Sequence, residues 1–595
     1  MKKSIKRILA IALAAGMMLS ATACSKGDDK GAGEGYTAGT YVGKAKGNNG
    51  EVKVEVTVAE GKISEVKVVE HSETKGLGDS AMETIGSIIK ESNSTNVETV
   101  TGATVSSNAM MEAVKDALRQ AGGTDAMFEK HKKQPLASKE IQDEYTFDVV
   151  VVGAGGAGLS AAVEAAQNGA KVAVLEKTVF SGGNTLVSGG GLNVPGTEQQ
   201  KAQGIEDSVE LFTEDTLKGG DNENDPELVK VMAENALDAA NWLIDEMNVE
   251  LMPDRLQQFG GHSVPRAIIP QGNKGTELIN KLEAKAKELG VEFFMETEGK
   301  TIIEENGAAK GIVAESKGKE VKFNADMGVI LATGGFGADV EMRKKYNDHY
   351  DEKYKTTCTN ASTGDGIKMA EAIGANLVDM EYIQVYPTCS PVTGIISYVA
   401  NSRFDGAILV NQEGDRFVDE MGRRDVISKG IIEQTDSVAY LIWGQEVESV
   451  GNMVQVHSKE YETMEKDGVI FKADTIEEAA EHYGISPEAL KATVEKFNGF
   501  VAEGKDGDFN KGGTLRTINE GPFYIQKVTP STHHTMGGID INTQAEVLNK
   551  EGKVIENLYA AGEVVGDIHG TNRLGGNAIT DIIVFGRIAG QNVVK

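Results

Sequence analysis

Residues 147–177 read FDVVVVGAGGAGLSAAVEAAQNGAKVAVLEK, and the fold follows from how this run changes character along its length. Val149 to Val152 is an unbroken β-branched stretch, the pattern of a strand buried on both faces. It breaks into Gly153-Ala154-Gly155-Gly156-Ala157-Gly158, continues as an alanine-rich helical segment to Gln167, and returns as a second strand, Lys171 to Leu175, ending on Glu176. Strand, glycine turn, helix, strand and acid together form the dinucleotide-binding fingerprint. Gly153 allows the tight turn, Gly155 lets backbone approach a pyrophosphate, and Gly158 lets helix and strand pack closely. The helix N-terminus presents free N–H groups and a positive dipole end to the phosphates. Glu176 lies at the spacing from which a carboxylate accepts hydrogen bonds from an adenosine ribose.

The 595 residues suffice for two to four domains with sizeable cores. The net charge of −30 argues against a nucleic-acid or anionic-lipid surface, because no basic field exists to recruit phosphates. The 71 glycines gather largely in pairs at turns, as in a protein that brings backbone close to large ligands. Three cysteines, Cys24, Cys358 and Cys389, with no C-x-x-C spacing, exclude cysteine-ligated zinc, iron–sulfur clusters and c-type haem, and no metal ligand set is expected. Cys358 and Cys389 read as two separate thiols.

Lys2, Lys3, Lys6 and Arg7 precede the apolar run Ile8 to Leu19, too short for a permanent anchor and typical of an export signal. Ala21-Thr22-Ala23-Cys24 follows, then polar residues to Gly35. The small residues before one cysteine resemble a bacterial lipobox, which implies a signal peptide over 1–23, a lipidated Cys24, a linker over 24–35, and an extracytoplasmic protein anchored to the membrane. An ordinary signal peptide with an incidental cysteine is the alternative.

Val52, Val54, Val56 and Val58 alternate with polar residues, Gly61-Lys62 turns the chain, and Ile63, Val66 and Val68 continue it as a hairpin or meander with one buried face. Helical stretches are expected over 80–90 and 108–120, the second capped by Ser106 or Ser107. Between them stand His71-Ser72-Glu73-Thr74-Lys75-Gly76-Leu77-Gly78 and Thr101-Gly102-Ala103-Thr104-Val105-Ser106. These two segments resemble the small FMN-binding domains of bacterial electron-transfer proteins. The resemblance implies an FMN-binding domain over 36–122 with FMN esterified to Thr104 by a separate FMN transferase. Glu98 stands where that family usually has Asp. Residues 123–144 read as a linker.

Further glycine clusters follow at Ser181-Gly182-Gly183-Asn184-Thr185 and Ser188-Gly189-Gly190-Gly191. Val329 to Leu331 is an apolar strand leading to Thr333-Gly334-Gly335, Thr363-Gly364-Asp365-Gly366 is a turn, and Leu558 to Ala561 leads to Gly562-Glu563. Asn572-Arg573-Leu574-Gly575-Gly576-Asn577-Ala578-Ile579 then opens a C-terminal helix. From Asp148 to the C-terminus the chain resembles the FAD-dependent fumarate reductase family, including flavocytochrome fumarate reductases and urocanate reductases. That implies an α/β protein whose Rossmann-like FAD-binding domain (145–380 and 535–595) is interrupted by an α+β capping domain (381–534). In the cap, helices are expected over 476–483, with Thr475 and Glu478 spaced as a capping box, and over 487–502.

The resemblance implies non-covalent FAD, contacted by Gly153, Gly155, Ala157, Gly158, Glu176 and Lys177 around the fingerprint. Asn184, Thr185, Gly189 and Gly190 follow in the next turns, and Thr333, Gly334, Gly335 and Asp365 at the later strand. His534, Glu563, Asn577, Ala578 and Ile579 complete the set. It also assigns a carboxylate clamp to Arg573 and His533, the proton-donating role to Arg424, and a relay arginine to Arg403. Arginine suits a carboxylate through its bidentate fork. Read alone, Arg423 and Arg424 would be a surface pair bonded to Glu420 and Asp425.

Two positions depart from the fumarate reductase pattern. Ile383-Gln384-Val385-Tyr386-Pro387-Thr388 carries Tyr386 where fumarate reductases have His, and Val399-Ala400 replaces Thr-Glu before Arg403. Urocanate reductases share the Tyr but keep an acid at the position of Ala400. Two polar contacts for a distal carboxylate are absent, so a urocanate- or cinnamate-like monocarboxylate suits the site better than fumarate. Tyr386, Tyr398 and water are the candidates for returning a proton to Arg424. The expected enzyme is an exported diflavin ene reductase fed by a membrane quinol or reductase donor. Fumarate reductase is the alternative, and a 3-ketosteroid dehydrogenase-like enzyme, needing no carboxylate clamp, the further one.

Overall fold

The computed structural model describes residues 35–47, 50–71, 73, 78–100, 103–134 and 141–595. Cys24, the export segment, and Ser72, Thr74 to Leu77, Thr101 and Gly102 of the FMN-type motifs lie outside the described residues.

The valine alternation produces an antiparallel meander of β1 (Gly39–Lys46), β2 (Glu51–Ala59) and β3 (Lys62–Glu70). Val52, Val54, Val56 and Val58 point into one apolar core, against α1 (Gly78–Ser92) and α2 (Thr104–Gln120). Helix α2 begins four residues earlier than the serine-cap reading placed it. Ser106 and Ser107 therefore lie inside it: the Ser107 hydroxyl donates to Ala103 O at 2.9 Å and accepts from Val100 N at 3.0 Å, while Ser106 bonds the Glu73 carboxylate. A short helix, α3 (Asp125–Glu129), carries Phe128 back into this core from the stretch read as linker.

The fingerprint forms β4 (Glu144–Val152), α4 (Gly156–Gln167) and β5 (Val172–Leu175). Two helices, α5 (Val209–Gly219) and α6 (Pro226–Asp245), follow, a further helix (Thr276–Glu288) leads into β6 (Glu292–Phe294), and β7 (Thr297–Glu305), β8 (Ala308–Ser316) and β9 (Lys319–Leu331) complete a ribbon.

The chain next leaves for a second sheet. It contains β10 (Ile383–Cys389), β11 (Ile408–Val410), β12 (Ala439–Trp443), β13 (Ile470–Ala473) and the long β14 (Phe523–Thr535), with α7 (Arg424–Ile432), α8 (Ile476–His482) and α9 (Pro487–Glu503) around it. At α8 the Thr475 hydroxyl accepts from Glu478 N at 3.1 Å, but Glu478 turns its carboxylate to Asp474 N at 2.9 Å, so the capping box is only half made. The chain returns through β15 (Val554–Ala560) and α10 (Asn577–Asn592).

The large sheet runs β7-β8-β15-β9-β4-β5-β6, and the strands from β15 to β6 are mutually parallel. The chain order reverses between β4 and β9, which opens a crevice at the strands' carboxyl ends, the usual seat of a ligand in such sheets. Gly153 adopts φ +107, and a Cβ there would come within 2.3 Å of Ala332 O. At Gly158 a Cβ would stand 1.9 Å from Gly153 O. Helix α10 lies against α4 through Gly586 and Gly590, whose missing Cβ atoms would reach 2.6 Å from Ala157 O and 2.4 Å from Ala161 O.

Replacing Gly158 with Ala is expected to cost about 1–3 kcal/mol of stability through overpacking against fixed backbone, with flavin retention falling in parallel. Chemical denaturation with flavin absorbance as a second signal measures both.

Candidate active site

Two arginines from different parts of the molecule meet on one amide. Arg573 stands in the loop before α10, and Arg424 is the first residue of α7, beside the second sheet. Gln384 on β10 accepts from Arg573 Nη2 at 3.0 Å through Oε1, which also faces Arg424 Nη1 at 3.5 Å. Its Nε2 donates to Asn572 Oδ1 at 2.8 Å and Arg573 O at 2.7 Å, fixing which end is oxygen. Gln384 was missing from the sequence assignment, although it sits inside the quoted I-Q-V-Y-P-T motif.

The Tyr386 ring, 5% exposed, lies 4.9 Å from the Arg424 guanidinium and 5.9 Å from that of Arg403. His533 packs on it edge-to-face at 5.2 Å and shares a 2.6 Å hydrogen bond between Nδ1 and Thr357 Oγ1. Burial lowers the pKa of His533, and the charges of Arg424 and Arg573 lower it further, so the imidazole is neutral. Burial likewise lowers Arg573, with Arg424 adding to it, and lowers Arg424, with Arg403 adding to it. Arg403, 3% exposed, donates to Glu420 O at 3.1 Å and leaves Nε without a partner. Val399 and Ala400 are wholly buried in the apolar core of the second sheet. The site thus concentrates guanidinium charge around neutral imidazoles and one phenol, an environment built to take up an anion.

Arg423 turns the opposite way from Arg424, toward Asp425 and Asp221. Glu420 is not its partner: that carboxylate is buried with Arg416 at 2.9 Å and Lys511 at 3.3 Å.

The crevice at the strand ends has the shape of a dinucleotide cradle. A Cβ at Gly155 would meet nothing nearer than Gly182 O at 4.0 Å, one at Gly183 only Gly155 Cα at 3.9 Å, and one at Gly334 nothing within 4 Å. Gly155 caps α4 in extended conformation and Gly576 starts α10 in the left-handed region, so both helices open onto this space with no side-chain cap. Glu176 accepts from Ala154 N at 2.9 Å and Thr178 N at 2.8 Å, while Lys177 bonds Asp365 and Thr363, each at 2.6 Å.

Asn184 donates to Glu563 at 3.0 Å and Glu563 accepts from Thr535 N at 3.1 Å, beside Gly335. His534 keeps Nδ1 without a partner among the described residues although only 7% exposed. Gly189 and Gly190 lie against the 270–275 turn, and Ala157 and Thr185 pack beneath the glycine turn. Asn577 spends its side chain on Asn193 and Thr216, leaving Ala578 and Ile579 as the open first turn of α10. These bare glycine faces, paired helix ends and unpartnered imidazole fit FAD. In the first unit Thr104 is the exposed opening residue of α2, whose cap residue Ala103 makes no side-chain cap bond, which fits a phosphoester there.

Beneath the Arg573 loop lies a buried network without a motif of its own. Arg266 binds Asp207 at 2.9 Å and Asp215 at 2.8 Å, and its Nη1 lies 3.0 Å from His262 Nδ1. A guanidinium only donates, so Nδ1 accepts and the hydrogen of neutral His262 sits on Nε2, 3.2 Å from Gly575 O. Asn193 adds a 2.7 Å bond to the same carbonyl. Burial and Arg266 hold His262 down to about 4.

Residues 148–579 match the family described as an FAD binding domain, and residues 47–119 the FMN-binding domain. A urocanate reductase of Eggerthella lenta is 44% identical over 98% of this chain and 97% of that protein. A cytochrome-type fumarate reductase of Shewanella frigidimarina is 42% identical over 79% of this chain and 81% of its own. The open conformation of a flavocytochrome c3 fumarate reductase superposes with a TM-score of 0.65 at 39% identity, covering 76% of this chain and 78% of that one.

His262→Leu removes one hydrogen-bond partner from Arg266 and one from Gly575 O, at about 1–3 kcal/mol, and should raise KM about tenfold with little change in kcat. Stability should follow pH in a defined sense. The folded value near 4 lies below the unfolded value of about 6.5, so His262's contribution is complete above pH ~6.5 and is lost as pH falls toward ~4. Urea unfolding at pH 7 and 4.5 should show this loss in the wild type and not in His262→Gln.

Proposed function

Because the chain belongs to the FAD-dependent fumarate and urocanate reductase family, we propose that it reduces the C=C bond of a 2-enoate, and that a urocanate- or cinnamate-like monocarboxylate is its preferred substrate. The observation that carries this reading is the convergence of Arg424 and Arg573 on Gln384, with His533 alongside. Bound FAD supplies the hydride chemistry and FMN, esterified to Thr104, the entry port for electrons.

The chain's own residues do the rest. Arg573 offers its fork to the substrate carboxylate. With Thr357 donating to Nδ1, His533 keeps a hydrogen on Nε2 and directs it at the same anion. That pull stabilises the negative charge that develops on the α-carbon and its carboxylate when hydride adds at the β-carbon. Arg424 gives the proton to the α-carbon. Its lowered pKa, caused first by burial, brings a guanidinium closer to acting as an acid. Tyr386, held between Arg424 and Arg403, takes the place of the distal-carboxylate histidine and favours a flat apolar or aromatic tail.

The same reading gives an FAD-binding domain over 145–380 and 535–595, a cap over 381–534 and an FMN domain over 36–122. It also gives an exported protein lipidated at Cys24, loaded by an FMN transferase and reduced by a membrane quinol or reductase.

Protein reduced by a viologen dye should be reoxidised faster by urocanate or cinnamates than by fumarate. Fumarate as clearly the best oxidant would overturn the substrate assignment, and Tyr386→His should shift the preference toward it. Arg424→Ala is expected to lose about 10²–10⁴-fold in kcat with flavin content unchanged. Yellow fluorescence on the denatured protein, absent from Thr104→Ala, reports the FMN ester.

A further inference from the structure

The cation beside Arg424 is tied to the opposite side of the cleft. Arg423 donates to Asp221 through both ends of its fork, Nη1 to Oδ1 at 2.7 Å and Nη2 to Oδ2 at 3.0 Å. Asp221 lies in the turn between α5 and α6, on the large-sheet side, with φ +58. A left-handed backbone at a residue other than glycine is held in place by its surroundings. Here the holding bonds run to the Arg573 loop: Thr571 Oγ1 donates to Asp221 Oδ2 at 2.5 Å, Thr571 N to Gly220 O at 3.2 Å, and Asn572 Nδ2 to Gly219 O at 3.1 Å. One carboxylate therefore touches the residue next to Arg424 and a residue two before Arg573. Asp425 supports Arg423 from its own side, at 3.0 Å from Nε and 2.8 Å from Nη2.

We propose that Asp221 is a positioning residue that holds Arg424 and Arg573 at their working separation by latching Arg423 across the cleft. This rests on the reading that those two arginines engage the enoate. Arg424 and Arg573 repel each other, and Gln384 Oε1 stands between them as a neutral acceptor. The latch supplies the opposing attraction from outside the pocket, where it does not neutralise either working guanidinium. When it opens, Arg424 withdraws with α7 while Arg573 stays on the large-sheet side.

The latch is partly exposed, with side-chain accessibilities of 23% for Arg423 and 51% for Asp221, so salt reaches it. In the diflavin holoenzyme, raising ionic strength from ~0.05 to ~0.5 M should lower kcat/KM about fivefold, mainly through KM. Asp221→Asn should start about tenfold lower and lose most of that salt slope. Arg423→Lys, which keeps the charge but not the fork, should fall between them, and Asp425→Asn should retain the slope. If Asp221→Asn loses flavin or melts early, Arg423→Lys alone carries the test, with the same reading. Wild-type kcat/KM and salt slope in Asp221→Asn, with Arg424→Ala inactive, would overturn the latch alone. Full turnover in Arg424→Ala would overturn the reading of the site beneath it.

Discussion

Two like charges brought together on one amide oxygen are the constraint around which this molecule is arranged. At ~4–6 Å, paired guanidiniums repel by a few kcal/mol at the effective dielectric of a partly buried site. The protein does not relieve this by placing a carboxylate between them. Gln384 can accept from both without cancelling either, and its amide end is fixed by Asn572 and the Arg573 carbonyl. The carboxylates stand one layer out: Asp221 on Arg423, Glu420 on Arg416 and Lys511, Asp207 and Asp215 on Arg266. What the pocket lacks is negative charge, and that is what an enoate brings.

The scaffold explains how such an arrangement stays in place. Arg573 leads into α10, which is seated on α4 through Gly586 and Gly590, so Arg573 and the glycine turn before α4 are carried by one helix pair. Arg424, Arg403 and Tyr386 come from the second sheet and its surroundings, which connect to the first through β10 and β14. The pocket exists only where the two parts are apposed.

Much of this was legible in the chain. The valine run, the glycine turn and Glu176 define β4, α4 and β5 because each step obeys local rules of propensity and spacing. Arg573, Arg424 and His533 were singled out by motifs, and the structure brings them together around Gln384 and Tyr386. What sequence could not show were partnerships across distance. Arg423 and Asp221 are 202 residues apart, and nothing local distinguishes Asp221 from other surface acids. His262 belongs to no motif, and its place comes from Arg266 and Gly575, 4 and 313 residues away. The start of α2 was misplaced because Ser106 and Ser107 look like caps, whereas tertiary bonds to Glu73, Ala103 and Val100 draw both inside the helix.

The long strand β14 ends with adjacent histidines, and pleating sends them to opposite sides. His533 meets Tyr386 and Thr357, while His534 meets His569. Neighbouring side chains of one strand thus meet different partners, with an irregularity at His533 between the pairs Gln384–His534 and Val385–Thr532. Inserting or deleting one amino acid upstream within β14 would change what each imidazole meets while keeping both rings. This end of the strand therefore tolerates a substitution better than a change in length.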